Sequence, residues 1–173
     1  MSDENTIIHV LVPPAHAHSH STSLVNALSQ TNLTVLWLDT LGDSIRHPQI
    51  HHALTFDLPA LTDTLQHSSD LAWDILVIDN IAPLFTPLLS STQGHAVMVD
   101  FMRLIQRLQP MERRIIMLNT SHSLAVNPTF NLLIDASLRI SEGQEKPERG
   151  NAYIVQKASM HPPGPLTRPL WEL

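Results

Sequence analysis

The chain has 173 residues, 43% of them apolar, and a formal net charge of −6, which suits one domain, 1–173, with a sizeable core and a flexible lead over 1–6. It holds no cysteine, so disulfides and thiolate metal sites are excluded. The acidic start MSDENT has neither the basic flank nor the apolar run of a signal peptide, and no apolar stretch reaches the ~18 residues of a membrane span, so a soluble intracellular protein without membrane contact is expected.

The first predicted element is a short apolar strand, Ile7–Val12. A loop of prolines, histidines and serines follows, then a helix over Ser23–Gln30 with Ser21 or Thr22 as its cap. Leu33–Leu38 is rich in β-formers and reads as a second strand, closed by Asp39. Leu58–Gln66 has an early proline and helical spacing of apolar residues. Asp74–Asp79 is apolar without alternation, as in a strand buried on both faces. His95–Leu108 is the strongest helix, with Val97, Phe101, Leu104 and Leu108 on one stripe. Arg113–Leu118 is a fourth strand, and Leu132–Ile140 and Asn151–Lys157 are two more, joined by the polar turn SEGQEKPERG. That turn predicts an antiparallel hairpin. Strand and helix alternate to about residue 120, so the expected architecture is an α/β sandwich with a mainly parallel sheet. Ligands on such sheets sit at the carboxyl ends of the strands.

Those ends carry the informative residues: DTLG at 39–42, DNIAPLF at 79–85 and NTSHS at 119–123, with QKASMHPPGPLTRPLWEL closing the chain. Taken in this order they resemble the core of RecA-like recombinases, in particular the eukaryotic strand-exchange proteins and their non-catalytic paralogues. In that family the second strand ends in Asp-Thr-Glu-Gly, matched by Asp39, Thr40, Leu41 and Gly42 with Ile45 and Arg46 nearby. The third ends in an Asp that helps hold magnesium, matched by Asp79 and followed by Asn80, Ile81, Ala82, Pro83, Leu84 and Phe85. A later strand ends in Asn-Gln, matched in part by Asn119, and the closing strand resembles Ser159–Leu173. The resemblance implies a RecA-like three-layer sandwich over nearly the whole chain.

The departures bear on function. A phosphate loop needs GxxxxGK[ST]: glycines let backbone N–H groups turn inward, and lysine reaches the phosphates. This chain has no glycine before Gly42 and no lysine before Lys146. The family's water-activating glutamate falls at Leu41, which cannot accept a proton, and its γ-phosphate-sensing glutamine falls at Thr120. The residues at the degenerate nucleotide position are Pro14, His18, Ser21, Thr22, Asp39, Leu41, Asp79 and Asn119. Asp79 has two readings, a cap on the next turn or a remnant magnesium ligand. The resemblance thus implies a protein that is not an enzyme and needs no cofactor.

Other features also carry two readings. His16, His18 and His20, two apart, would share a face of an extended segment and could converge on a metal, or they fill a solvent-exposed loop. His47, His51 and His52 read as surface residues. A Ser-His-Asp hydrolase lacks its G-x-S-x-G elbow. Residues 1–100 carry a net −9 and residues 101–173 a net +3, so the acidic half is a poor DNA binder. The segments Thr86–Gly94 and Ser121–Asn131, where the family has its DNA loops, contain no Lys or Arg. Candidate interface or DNA contacts are Phe85, Arg139, Lys157, Arg168 and Trp171; the Pro-rich tail is either a partner anchor or a docked edge strand. The resemblance implies a nuclear, Shu-type subunit in homologous recombination repair, paired with another RecA-like or zinc-binding subunit. Its complex would act on a recombinase and reach single-stranded DNA through that assembly. The alternatives are an Elongator-type RecA-fold subunit acting on transfer RNA, and a weak NTPase or metal-dependent hydrolase.

Overall fold

A single sheet of eight strands organises the chain in a computed structural model that describes residues 6–68, 70–108, 113–140, 153–158 and 161–173. The strands are β1 (Ile7–Leu11), β2 (Val35–Asp39), β3 (Ile50–Leu54), β4 (Ile75–Asp79), β5 (Arg114–Asn119), β6 (Ala136–Ile140), β7 (Tyr153–Ala158) and β8 (Gly164–Pro165). Their order is β3-β2-β4-β5-β1-β6-β7-β8. Strands β1 to β6 run parallel, and β7 and β8 add antiparallel. β2 and β4 are buried at every position, which is why their sequences are continuously apolar.

The helices are α1 (Ala17–Ser29), α2 (Leu58–Ser68), α3 (Ala82–Phe85), α4 (Thr92–Arg107), α5 (His122–Ala125) and α6 (Pro128–Asn131). On one face of the sheet, Leu24, Val25 and Leu28 of α1 pack with the tail residues Leu166, Leu170, Trp171 and Leu173 over Val10, Trp37, Val77 and Leu138. On the other, Leu61 and Leu65 of α2 and Met98, Phe101 and Ile105 of α4 pack over Leu36, Leu38, Leu76, Ile78 and Met117. α4 is capped by Ser91, whose Oγ accepts from Gly94 N–H at 2.9 Å. Gly94 lies so close to the 3-10 turn Thr86–Ser90 that an added Cβ would stand 2.1 Å from Leu88 O.

Several expectations are corrected. The first helix starts at Ala17, six residues earlier than predicted, so Ser21 and Thr22 lie inside it and cap nothing. A 3-10 turn over Pro14–His16 leads into it, with proline fixing φ at its first position. Ile50–Leu54 forms an edge strand that the sequence did not announce, because its histidines mask the apolar pattern. The predicted strand Leu132–Ile140 is four residues too long: α6 ends at Asn131, and β6 begins only at Ala136. The deepest side chains of α4 include Met98, Met102 and Ile105, while Val97 is only half-buried, a rotated stripe. The hairpin between β6 and β7 is antiparallel as expected, and its turn at 141–150 lies outside the described residues.

Candidate functional site

The carboxyl ends of β2, β4, β5 and β1 bring Asp39, Asp79 and Asn119 together with the loop after Leu11. Asp39 stands opposite Asp79 across β2 and β4, and Leu11 opposite Asn119 across β1 and β5.

Asp39 ends β2 and turns back on its own loop. Its Oδ1 accepts from Leu41 N–H at 3.0 Å and Gly42 N–H at 2.8 Å, and its Oδ2 from Ser44 N–H at 3.1 Å. Gly42 adopts φ of +78°, a conformation glycine reaches without penalty, and an added Cβ would stand 3.0 Å from the exposed Phe56 ring. Asp39 is thus an Asx-type loop clamp. Leu41, at the position of the family's glutamate, is half exposed.

Asp79 is buried and is held by hydroxyls. Ser44 Oγ donates to its Oδ2 at 2.9 Å, and Ser21 of α1 is its other hydrogen-bond partner. Burial pushes its carboxyl up to about 6, against the pull of those two serines; the neighbouring Asp39 and Asp43 push the same way as burial. The turn after β4 is capped by Asn80 and not by Asp79: Asn80 Oδ1 accepts from Ala82 N–H at 2.9 Å. Asn80 also donates from Nδ2 to Thr120 Oγ1 at 2.9 Å, and Thr40 Oγ1 donates to Asn80 O at 2.5 Å. The Asp79–Asn80 peptide is cis.

The loop after β1, where the resembled family has its phosphate loop, is tied down in part by its own backbone. Among Val12 to His16, Pro13 and Pro14 have no N–H. Val12 N–H donates to Asn119 O at 2.8 Å, His16 N–H to Pro13 O at 2.9 Å, and Ala17 N–H to Pro14 O. A phosphate cradle needs converging free N–H groups; of the five residues Val12 to His16, two have no N–H and two more donate theirs to backbone carbonyls. The hollow beneath is lined by Val12, Ala17 and Ser21 on one side and Asp79, Asn119 and Thr120 on the other, and it leaves no volume for a water molecule. The hollow has no room for a magnesium ion with a nucleoside triphosphate. Of the eight sequence candidates, Ser21, Asp79 and Asn119 border the hollow. Pro14, His18 and Leu41 are exposed, Thr22 is half-buried inside α1, and Asp39 serves its own loop.

The histidine triplet does not converge. Helical geometry spreads residues two apart around the axis: His18 is exposed, while His20 is buried with its Nε2 2.7 Å from Tyr153 Oη. No cluster of three His, Cys, Asp or Glu suited to a metal occurs among the described residues. His52 is half-buried against Trp37, and its Nε2 accepts from His47 N–H at 3.4 Å; of the group, only His51 is exposed.

Sequence reasoning missed His9. It sits inside β1, 2% exposed, and its Nε2 accepts from Asn119 Nδ2 at 3.0 Å. Its Nδ1 and that of His20 lack partners, and burial drives both imidazoles down to about 4, so both rings are neutral at pH 7. The available signal was one histidine within the apolar run IIHVL.

The candidate contacts divide. Phe85 is fully buried, its ring centroid 4.7 Å from that of Phe101, so it is a core residue and not an interface. Trp171 and Leu173 are buried too, and the tail docks on the sheet. Arg139, Lys157 and Arg168 are exposed.

No family model and no curated protein matches the sequence. Among solved structures the chain is similar to the crystal structure of the RadB recombinase, with a TM-score of 0.68 and 13% identity over 92% of this chain and 84% of that one. At that identity the likeness speaks for the fold: the chain has a RecA-like fold, mostly parallel, with antiparallel strands at its C-terminal end.

Proposed function

We propose that this chain is a non-catalytic RecA-fold subunit that serves homologous recombination repair through a complex. The loop after β1 carries the reading: Pro13 and Pro14 have no N–H, and those of Val12, His16 and Ala17 go to the backbone oxygens of Asn119, Pro13 and Pro14. The similarity to a recombinase supports the recombination side of the proposal. The subunit contributes surface to an assembly with another RecA-like or zinc-binding subunit, of the Shu type, in the nucleus. That assembly promotes or stabilises recombinase filaments on single-stranded DNA, and DNA is met through the assembly because residues 1–100 are strongly acidic.

The test isolates the tagged chain with its native partners and measures two things. Labelled ATP with magnesium is expected to show neither saturable binding nor turnover attributable to this chain. Addition of the assembly to recombinase on single-stranded DNA is expected to lengthen filament lifetime. Magnesium-dependent hydrolysis by the chain alone overturns the non-catalytic reading. Stoichiometric Elongator-type subunits with no effect on filaments overturn the recombination reading while leaving the fold intact.

A further inference from the structure

The two most exposed large hydrophobic side chains among the described residues are Leu132 at 76% and Val126 at 61%. Both belong to the short segment around α5 and α6, where the structure spends many hydrogen bonds on order. Ser121 caps α5 and Asn127 caps α6, and Asn131 Nδ2 donates to Ala125 O at 2.7 Å and to Asn127 O at 2.8 Å. Leu132 is thus held outward by a braced frame. It lines a groove of about 110 Å³ between α4 and α6, with Val99, Met102 and Leu133 as further apolar lining and Arg103 and Gln106 as polar lining. The volume suits one large apolar side chain.

Arg103 is the one charged side chain among the residues that line this groove. Among residues 113–140 that follow α4, the one carboxylate is Asp135, and its Oδ2 is occupied by Thr6 N–H, Thr6 Oγ1 and Ile7 N–H at 2.8 to 3.2 Å. Leu138 and Val155 face the α1 side of the sheet. By alternation Ser137, Arg139 and Ile154 face the α4 and α6 side, with Lys157 paired opposite Ser137. No residue of β6, β7 or β8 joins the helix-covered cluster on that side. None of Arg103, Arg139 and Lys157 makes an ion pair among the described residues.

We propose that this face docks an acidic amphipathic segment of a partner protein. One aliphatic or aromatic anchor enters the groove against Leu132, and carboxylates meet Arg103 at the groove and Arg139 and Lys157 on the adjoining strands. Apolar contact at the centre with cations around it is the arrangement of a protein hot spot. A nucleic-acid strand would meet Leu132 where it needs a cation. The inference deepens the proposed function by giving the partner's chemistry, and it stands on the surface alone.

The test places a photo-reactive benzophenone side chain at position 132 of the full chain in native cells, with a control at the exposed Phe56. Irradiation at position 132 is expected to capture a protein segment rich in Asp, Glu and large apolar residues. Arg103→Glu is expected to cut that yield about tenfold, and the Phe56 control is expected not to capture the same segment. Capture of nucleic acid, of a second copy of this chain, of a basic segment or of nothing overturns the proposal. An acidic segment from a protein outside recombination leaves this inference standing and overturns the functional one.

Discussion

Asp39 and Asp79 are cross-strand neighbours at the same edge of one sheet, and they do opposite work. Asp39 points into a loop and is satisfied by three backbone N–H groups. Asp79 points into a filled hollow and is satisfied by two serine hydroxyls, with burial holding its carboxyl up to about 6. Backbone donors tie a carboxylate to local folding. A carboxylate buried among hydroxyls instead costs stability when ionised. The first aspartate therefore organises the fold, and the second is tolerated by it.

The largest expected effect concerns the background against which the two aspartates act. His9 and His20 have folded values near 4 against 6.5 when exposed. Between those values the unfolded state binds more protons, so stability is full above pH 6.5 and is lost as pH falls toward 4. At 1.36 kcal/mol per unit, each histidine forfeits roughly 3 kcal/mol over that window. Asp79 acts in the other direction. Its folded value exceeds the unfolded one, so the native state binds the extra proton and stability rises as pH falls from 6 to 4. Urea unfolding at pH 7.5, 6, 5 and 4 is expected to show a net loss on acidification, shallower in His20→Gln and steeper in Asp79→Asn. An identical profile in all three proteins would place these groups in water.

Replacing the aspartates one at a time separates their roles by sign. Asp39→Ala strands the N–H groups of Leu41, Gly42 and Ser44, and charge-assisted bonds of this kind are worth about 1.5–3 kcal/mol. Part of that is recovered by water because Leu41 and Gly42 are exposed, so a loss of about 2 kcal/mol at pH 7.5 is expected from urea melts. Asp79→Asn keeps a polar group for Ser21 and Ser44 and removes the buried charge. It is expected to raise stability by about 1–2 kcal/mol at pH 7.5 and to change nothing at pH 4, where the acid is already protonated. Destabilisation by Asp79→Asn at pH 7.5 would mean that the ionised carboxylate is itself required there.

The contrast also explains what the sequence could and could not disclose. The parallel sheet was legible because Trp37, Val77 and their neighbours are buried on both faces and leave an unbroken apolar run. That the first strand is followed by no GxxxxGK[ST] motif is a fact of the sequence itself, visible without coordinates. The start of α1 was not, because His16, Ser19 and Ser21 are turn-formers by composition, and only packing of Leu24, Val25 and Leu28 carries the helix back to Ala17. β3 was hidden for a similar reason: it is an edge strand with His51 exposed and one buried apolar residue, Ile50. Phe85 and Trp171 were ambiguous, because a large apolar side chain in a Pro-rich segment serves a core or a partner equally well. Which it serves depends on what lies beneath, Phe101 in one case and the α1 face of the sheet in the other. His9 was missed because a lone polar residue in a strand draws meaning only from its neighbour, Asn119.

The smallest expected effect is the sharpest test of the comparison. Leu41→Glu restores the carboxylate that the resembled family uses to activate water, on the loop that Asp39 clamps. Leu41 is half exposed and its N–H stays on Asp39, so stability is expected to change by no more than about 0.5 kcal/mol. A general base acts only when a reacting phosphate and water are held within hydrogen-bond reach of it. The hollow beside Asp79 has no room for either, and in the loop from Val12 to His16 the N–H groups of Val12 and His16 already go to backbone carbonyls. No ATP turnover above the parent is therefore expected from this variant at millimolar ATP and magnesium. Turnover that appears with Leu41→Glu and disappears when Asp79→Asn is added to it would show that Asp79 still recruits a cation, and that the closed loop opens in solution.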